Sequence, residues 1–414
     1  MFHFFGNDNH AYLSTFAADV GHTVLYGSLL SGGTLHILSD EIASDPIQLE
    51  KYFNSNRIDF LKIVPSHLKS LFGDSPEKIL PHKNILIGGE ELRWNWVCHI
   101  TSVNKCNVFN HYGPTETAVG TFIYKVTDKQ TTKRAAPIGK PMSNTKAYIL
   151  DAHQQPLPPG FIGELYIGGS SVGRGYLNNA ESTNEKYISN PFIDTNEKMY
   201  RTGDRVRYLS NGNIEFIERV DHQVKIRGFR VEIGEIERAI ETYMAVGEAV
   251  VLANENESGS NELYAYIVPV APLEPFNIND LRNFLINKLP EYMIPTHFTT
   301  LDEFPLTING KVDRKKISKL GNDDNNLNNN YVPPSTIIEQ QLARIWEEVL
   351  GAEKLGIHDD FFQLGGHSLS AIQTITRLKN IFEIEISIRK IFEAPTIKQL
   401  SIVIEDLLVE AIEL

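Results

Sequence analysis

Cysteine is nearly absent: Cys98 and Cys106 are the only two in 414 residues. They form neither a disulfide framework nor zinc-ligand spacing, so the expectation is buried thiols in a reducing cytosol. Long apolar runs are also lacking, and none reaches the roughly 20 residues that a membrane span needs. The opening Met1-Phe2-His3-Phe4-Phe5-Gly6 has no basic stretch and no cleavage site, which excludes a signal peptide there. Positive charge is in deficit, 39 basic against 52 acidic residues for a net charge of −13, which argues against non-specific nucleic-acid binding. No internal repeat is visible. What remains is a globular composition, 42% hydrophobic and 22% charged, long enough for two to four domains with real cores. The expectation is a cytoplasmic protein with neither nucleic acid nor membrane as partner.

Residues 1–217 read as α/β. Asn84-Ile85-Leu86-Ile87 runs into Gly88-Gly89 as a buried strand runs into a turn, and Lys146–Leu150 and Glu164–Ile167 read as strands around the turn-forming Pro156-Leu157-Pro158-Pro159-Gly160. Residues 218–320 alternate on a smaller scale, with a helix at Ile233–Tyr243 and strands at Ala249–Ala253 and Tyr264–Val268. Residues 321–334 form a linker: Gly321–Asn330 has six Asn and two Asp, and Tyr331-Val332-Pro333-Pro334 stiffens its exit. Residues 335–414 are helical and acidic, with 13 Asp/Glu against 7 Lys/Arg, a balance suited to basic docking patches on partner enzymes. Thr336-Ile337-Ile338-Glu339 has capping-box spacing, Ile338, Leu342, Ile345, Trp346 and Val349 form one apolar stripe, and Gly351 ends the helix. A helix after Ser368 and another near Ile397–Leu408 complete a small bundle.

Ser368 ends Asp359-Asp360-Phe361-Phe362-Gln363-Leu364-Gly365-Gly366-His367-Ser368 and stands where a helix begins. Free backbone N–H groups and the positive dipole end favour an anion there, although a lone serine in that place reads as an N-cap. Upstream come Asn110-His111-Tyr112-Gly113-Pro114-Thr115-Glu116-Thr117, Gly163-Glu164-Leu165-Tyr166-Ile167-Gly168-Gly169 and Tyr200-Arg201-Thr202-Gly203-Asp204. Then follow Arg219-Val220-Asp221-His222-Gln223-Val224-Lys225-Ile226-Arg227-Gly228, Leu289-Pro290-Glu291-Tyr292-Met293-Ile294-Pro295 and Asn309-Gly310-Lys311-Val312-Asp313-Arg314. In this order the six closely resemble the adenylation domains of nonribosomal peptide synthetases, within the adenylate-forming ligases, and the segment ending at Ser368 resembles their peptidyl carrier domains.

The resemblance implies the fold: an α/β large-lobe fragment, an α+β small C-terminal lobe, then an all-α four-helix carrier. It implies ATP-dependent activation of an amino acid and transfer to 4'-phosphopantetheine on Ser368, within antibiotic or other secondary-metabolite synthesis. It assigns the ribose hydroxyls to Asp204, whose carboxylate can accept from both, and adenine to the flat face of Tyr112. Thr115 is assigned to the α-phosphate, Glu116 to Mg²⁺ as a hard oxygen ligand, and Arg219 to charge-assisted nucleotide contacts. Lys311 is the catalytic ammonium, which can bridge the substrate carboxylate and the phosphate where charge develops. Asp221 is the hinge about which the small lobe rotates between the two half-reactions, removing Lys311 and bringing in the Gly228 loop. Outside this company Asp204, Thr115 and Glu116 read as turn residues, and Lys311 as a solvated loop lysine.

Aligned on the same family, the substrate pocket comprises Asp19, Val20, Thr23, Lys62, Leu86, Gly88, His111, Val119 and Gly120. Asp19 can pair with an α-ammonium. Lys62 is unusual within Phe60-Leu61-Lys62-Ile63-Val64-Pro65, since a buried lysine needs a partner, loses its proton or snorkels to solvent. The reading is that Lys62 and His111 receive a second substrate carboxylate, which makes the amino acid aspartate, with asparagine or a β-substituted aspartate as competitors. The expected partners are a phosphopantetheinyl transferase and condensation and other synthetase domains. The family's phosphate-gripping loop should precede Thr15–Asp19, and nothing in residues 1–14 resembles it. The expectation is therefore a fragment of a larger synthetase that adenylates poorly by itself. A carrier behind a non-functional adenylation remnant is the alternative. A free-standing acyl-CoA ligase is disfavoured by Asp19 and by the downstream carrier.

Overall fold

The computed structural model describes residues 6–71, 76–103, 105–127, 132, 135–193, 196–220, 223–226, 228–255, 261–270, 277–306, 312–320, 331–352, 354–362, 364–366, 368–384 and 386–413. The chain divides into two compact units, Met1–Phe229 and Arg230–Leu414. Among the described residues no helix is long and apolar enough to cross a membrane.

The first unit is built on a seven-stranded sheet. Its strands are β1 (Asn9–Tyr12), β2 (Thr34–Ile37), β3 (Phe60–Ile63), β4 (Asn84–Ile87), β5 (Asn107–Tyr112), β6 (Phe122–Lys125) and β7 (Lys140–Pro141), in the spatial order β2-β1-β3-β4-β5-β6-β7. The pairs from β2 through β5 are parallel, while β6 and β7 run antiparallel. Every residue of β3 and β4 is buried, which explains why their sequences read as short continuous apolar runs rather than alternations. Leu61, Ile63, Ile85, Ile87 and Val108 join one core with the helices Pro46–Ser55, Pro65–Leu71 and Trp94–Ser102. Phe60 and Leu86 point to the opposite face, where they pack with Tyr12 and Val24. Lys62 shares that second face with Phe60, by the two-residue period of a strand.

A second, antiparallel sheet follows, made of β8 (Thr145–Leu150), β9 (Gly163–Gly169), β10 (Tyr187–Ser189), β11 (Lys198–Tyr208) and β12 (Ile214–Arg219), in the order β10-β11-β9-β8 with β12 also on β11. The registers of β11 against both β9 and β12 shift near Gly203, whose φ is +74°. Only glycine adopts that left-handed turn without steric cost, and the irregularity re-aims the next side chain, Asp204. The expectation of buried thiols is corrected in part. Trp94, Val97 and Ile100 take the buried stripe of their helix, which leaves Cys98 exposed. Cys106 is half-buried, and burial pushes its thiol up to about 11.

The second unit opens with helix Ile233–Glu241 and a three-stranded sheet, Val246–Glu255 antiparallel to Asn261–Pro269, which pairs in parallel with His297–Thr300. It closes with the helices Ile337–Leu350, Ser368–Phe382, Arg389–Glu393 and Ile397–Glu413. The α/β, α+β and four-helix succession inferred from the motifs is present, though the third carrier helix has only five residues. Leu342, Ile345 and Trp346 form the buried stripe, with Trp346 edge-on to Phe361 at 4.9 Å between centroids. Gly351 ends the first carrier helix at φ +67°. The capping box forms: Thr336 Oγ1 accepts from Glu339 N–H at 3.1 Å, and Glu339 Oε2 accepts from Thr336 N–H at 3.0 Å.

Ser335 also donates to Glu339 Oε2, and Lys398 Nζ reaches its other oxygen at 3.1 Å. These bonds, led by the Thr336 and Ser335 amides, pull the Glu339 carboxyl down to about 2. Because the folded value lies below the unfolded one, the stabilisation is complete above about pH 4.5 and is lost as pH falls from there toward 2. Glu339→Gln should remove it at neutral pH, at a cost on the order of 2 kcal/mol. Hydrogen exchange of the Ile337–Leu350 amides in the full chain measures this. Equal protection of variant and parent at pH 7 would contradict the assignment.

Candidate active site

Three parallel strands deliver polar groups at their C-terminal ends, where open α/β sheets hold ligands. Lys62 is the third residue of β3, Gly88 follows β4, and His111 is the fifth residue of β5. Lys62 is 4% exposed and His111 3%. Lys62 Nζ lies 2.7 Å from His111 Nδ1. Two glycines make that approach possible. A Cβ on Gly88 would stand 1.9 Å from the His111 carbonyl oxygen and 3.1 Å from Lys62 Nζ, and one on Gly120 would stand 1.9 Å from His111 Cε1. Lys62, Gly88, His111 and Gly120, separated by up to 58 positions along the chain, therefore meet at one point.

Snorkelling is excluded for Lys62 by its burial. Desolvation pushes its ammonium down to about 7, the Asp19 carboxylate opposes that fall, and Lys225 adds to it. His111 is held well below the ordinary imidazole range by burial and then by the Lys62 charge. A neutral imidazole with its proton on Nε2 presents Nδ1 as the acceptor that a charged Lys62 needs. Asp19, Val20 and Thr23 lie at the turn Asp19–Gly21 and the helix His22–Ser31 that follows, all half-buried. Leu86 is fully buried in the cluster with Tyr12 and Phe60. Val119 and its neighbour Ala118 both have left-handed backbone, φ 65° and 71°, which is costly for a β-branched residue.

The groups assigned to the nucleotide form a second cluster. Asp204 and Arg219 face each other across the β11–β12 ladder, and Arg219 Nη1 donates to Asp204 Oδ1 at 2.5 Å. The Tyr112 hydroxyl donates to Asp204 Oδ2. Burial, and then the Asp204 charge, push the Tyr112 phenol well above its usual range. Each carboxylate oxygen has a second lone pair, so Asp204 can still accept from two neighbouring hydroxyls. Glu116 lies buried in the turn Thr115–Thr117, where the Tyr176 hydroxyl donates to its Oε1 at 2.6 Å. Among the described residues no group of three or more metal-ligating side chains occurs. One carboxylate fits Mg²⁺, which keeps most of its shell from water and nucleotide phosphates rather than from a protein cage.

The Thr115 hydroxyl is exposed and donates to Asp19 Oδ2, which joins the turn Thr115–Thr117 to the turn Asp19–Gly21. Tyr176 and Thr202 escaped the sequence reading. Tyr176 follows Gly173-Arg174-Gly175, a turn signal that could have drawn notice. Thr202 Oγ1 donates to the Leu165 carbonyl at 2.8 Å and accepts from Asp204 N–H at 3.0 Å, which only the fold reveals. Asp221, Lys311, His367 and the stretch 321–330 lie outside the described residues. Of Ser368 the backbone is described, and it opens helix Ser368–Phe382.

Comparison with known proteins identifies the family. The family AMP-binding enzyme matches residues 2–177, the AMP-binding enzyme C-terminal domain matches 235–311, and the phosphopantetheine attachment site matches 340–404. Tyrocidine synthase 3 of Brevibacillus parabrevis is 42% identical over 391 residues, covering 94% of this chain and 6% of that protein. Gramicidin S synthase 2 of Brevibacillus brevis is 44% identical over 395 residues, with coverage of 94% and 9%. Tyrocidine synthase 1 of Brevibacillus parabrevis is 38% identical over 387 residues, with coverage of 92% and 34%. Among solved structures, holo-PA1221, an NRPS protein containing adenylation and PCP domains bound to a vinylsulfonamide inhibitor, matches at TM-score 0.76 and 26% identity, over 100% of this chain and 68% of that one. The artificially fused adenylation–PCP di-domain NpsA-ThdA from Klebsiella oxytoca shares the fold at TM-score 0.64, 24% identity and coverage of 97% and 66%. The class is thus that of AMP-binding, adenylate-forming enzymes joined to a phosphopantetheine carrier. Within it the chain belongs to the nonribosomal peptide synthetases, whose groups are ATP, Mg²⁺ and 4'-phosphopantetheine.

Gly120→Ala tests the packing at His111. The new methyl should displace the imidazole, break the Lys62 contact and lower stability by about 1–3 kcal/mol. Chemical denaturation and the His111 ring signals in NMR measure this, and an unmoved ring in the variant would contradict the geometry.

Proposed function

We propose that this region activates L-aspartate with ATP and passes it to the carrier thiol on Ser368, as one step of nonribosomal peptide synthesis. The observation that supports the substrate assignment is the Lys62–His111 contact, a desolvated amine against a neutral imidazole at the strand ends with Asp19 in electrostatic reach. Charges then match group for group. The substrate ammonium meets Asp19, displacing the Thr115 hydroxyl, which becomes available to the α-phosphate. The side-chain carboxylate meets Lys62 and His111. Asparagine satisfies the same shape without the charge. The α-carboxylate is left to Lys311, by the family resemblance.

In the first half-reaction an α-carboxylate oxygen attacks the α-phosphorus of ATP, and the bond to pyrophosphate breaks. Asp204 and Arg219 hold the ribose end, with Tyr112 fixed between them and adenine. Glu116, steadied by Tyr176, would supply the protein's oxygen to Mg²⁺. In the second half-reaction Ser368 would hold the phosphopantetheine arm, whose thiol would supply the nucleophile: the acyl–phosphate bond breaks, AMP leaves and the thiol proton is lost. The Gly228 loop has a place at this end of the sheet: a Cβ on Gly228 would stand 2.4 Å from Val64 Cγ1. The chain spans only a small part of each curated relative, so a phosphopantetheinyl transferase, condensation domains and a cytoplasmic setting belong to this proposal too.

Lys62→Met should reduce aspartate-dependent pyrophosphate exchange by about tenfold or more, since a charge-assisted hydrogen bond contributes roughly 1.5–3 kcal/mol. ATP binding should change little. Exchange is measured in the complete synthetase, with asparagine in parallel; undiminished aspartate exchange would end the pocket assignment.

The pH dependence has a definite sign. An ammonium brought down to about 7 is only partly charged at neutrality, and a bound carboxylate raises both Lys62 and His111. Aspartate binding should therefore take up protons near pH 7 and weaken as pH rises above it. Calorimetry in buffers of different ionisation enthalpy would show no buffer dependence if the substrate carboxylate does not reach this pair.

A further inference from the structure

Glu90 is a carboxylate that neither cluster described above uses. It follows Gly88-Gly89 beyond the end of β4 and is half-buried. Three donors converge on it. Ser66 gives its N–H to Oε2 and its hydroxyl to Oε1, each at 2.9 Å. The third donor is the backbone N–H of Gly228. Burial pushes the Glu90 carboxyl up, and the two Ser66 bonds, the Gly228 bond and the charge of Lys225 pull against that rise. The Ser66 bonds alone would make Glu90 a cap for helix Pro65–Leu71, whose first turn holds Ser66. The Gly228 bond has no such explanation. It comes from a segment far along the chain, though within the same compact unit, Met1–Phe229.

Gly228 also fits this place by shape. Its φ is +80°, and a Cβ there would stand 2.4 Å from Val64 Cγ1. A Cβ on Gly89, itself at φ +92°, would stand 3.7 Å from Gly228 Cα. Val64, Gly89 and Glu90 thus form a seat for the Gly228 backbone. The seat adjoins the pocket, because Gly88, the residue before Gly89, is the one whose Cβ would come within 3.1 Å of Lys62 Nζ. Lys225 belongs to the strand Gln223–Ile226 that leads to Gly228, and its charge reaches both Glu90 and Lys62.

We propose that Glu90 is a positioning residue for the thioester half-reaction. Anchored by Ser66, its carboxylate receives the Gly228 amide and keeps that loop on Val64 and Gly89, beside Lys62 and His111. A carboxylate suits the task because it only accepts and can take three donors at once, whereas a glutamine would turn an N–H group toward one of them. The adenylate-forming step, which draws on Asp204, Arg219, Glu116 and Lys311, makes no use of this seat. The inference rests on the two-step reaction proposed above and not on the choice of amino acid.

Two measurements on Glu90→Gln test it. In the full chain labelled with ¹⁵N-glycine, the Gly228 amide should exchange with solvent about fivefold faster or more in the variant, since a charge-assisted bond becomes a neutral one. In the complete synthetase, pyrophosphate exchange should stay within about twofold of the parent, while single-turnover loading of the carrier from preformed aminoacyl adenylate slows about fivefold or more. Exchange is run with aspartate and with the other protein amino acids, so a wrong substrate assignment appears as exchange with a different amino acid and leaves this comparison intact. Ser66→Ala, which removes one anchor and keeps the carboxylate, should move both readouts the same way by less, and it decides alone should Glu90→Gln fail to fold. Unchanged Gly228 exchange overturns the proposal. So does unchanged loading, or a fall of pyrophosphate exchange in step with loading, which is what a purely structural role would give.

Discussion

A lysine ammonium forced against an imidazole at the ends of parallel strands is the constraint on which the pocket depends. Burial disfavours charge on both groups, and the Lys62 charge holds His111 lower still. The closeness of the pair is bought by absence: Gly88 and Gly120 have no Cβ, and any other residue at either place would overlap His111. The surrounding apolar packing of Phe60, Leu86, Tyr12 and Val24 keeps the dielectric low enough for the arrangement to matter.

The nucleotide side obeys a related logic with the opposite sign. Asp204 is buried, but it faces Arg219 across a ladder and the Tyr112 hydroxyl from the neighbouring sheet, so its charge is compensated. The register of β11 against β9 breaks between Arg201 and Arg205, around Gly203. The Thr115–Asp19 bond joins the turn at Thr115 to the turn at Asp19.

Much of the architecture was legible because local chemistry and tertiary packing agree. The capping box at Thr336, the stripe through Leu342 and Trp346, and the continuous apolar run Asn84–Ile87 are rules that operate over a few residues. The order of the motifs carried the family. The thiol of Cys98 was misjudged because a residue's average tendency to be buried says nothing about which side of its own helix is already taken. Tyr176 and Thr202 went unread because each acts across separations of dozens of residues, to Glu116 and Leu165 respectively.

Residue type and spacing, by themselves, determined which elements form, where the helical carrier begins, and that an unusual lysine interrupts an apolar strand. The fold decided what that lysine touches and which oxygen of Asp204 each partner takes. The division follows from the range of the forces. Backbone propensity and capping are settled within a turn or two of chain, whereas the charge state of a buried group is set by every dipole and ion packed around it, and those are known only once distant segments have met.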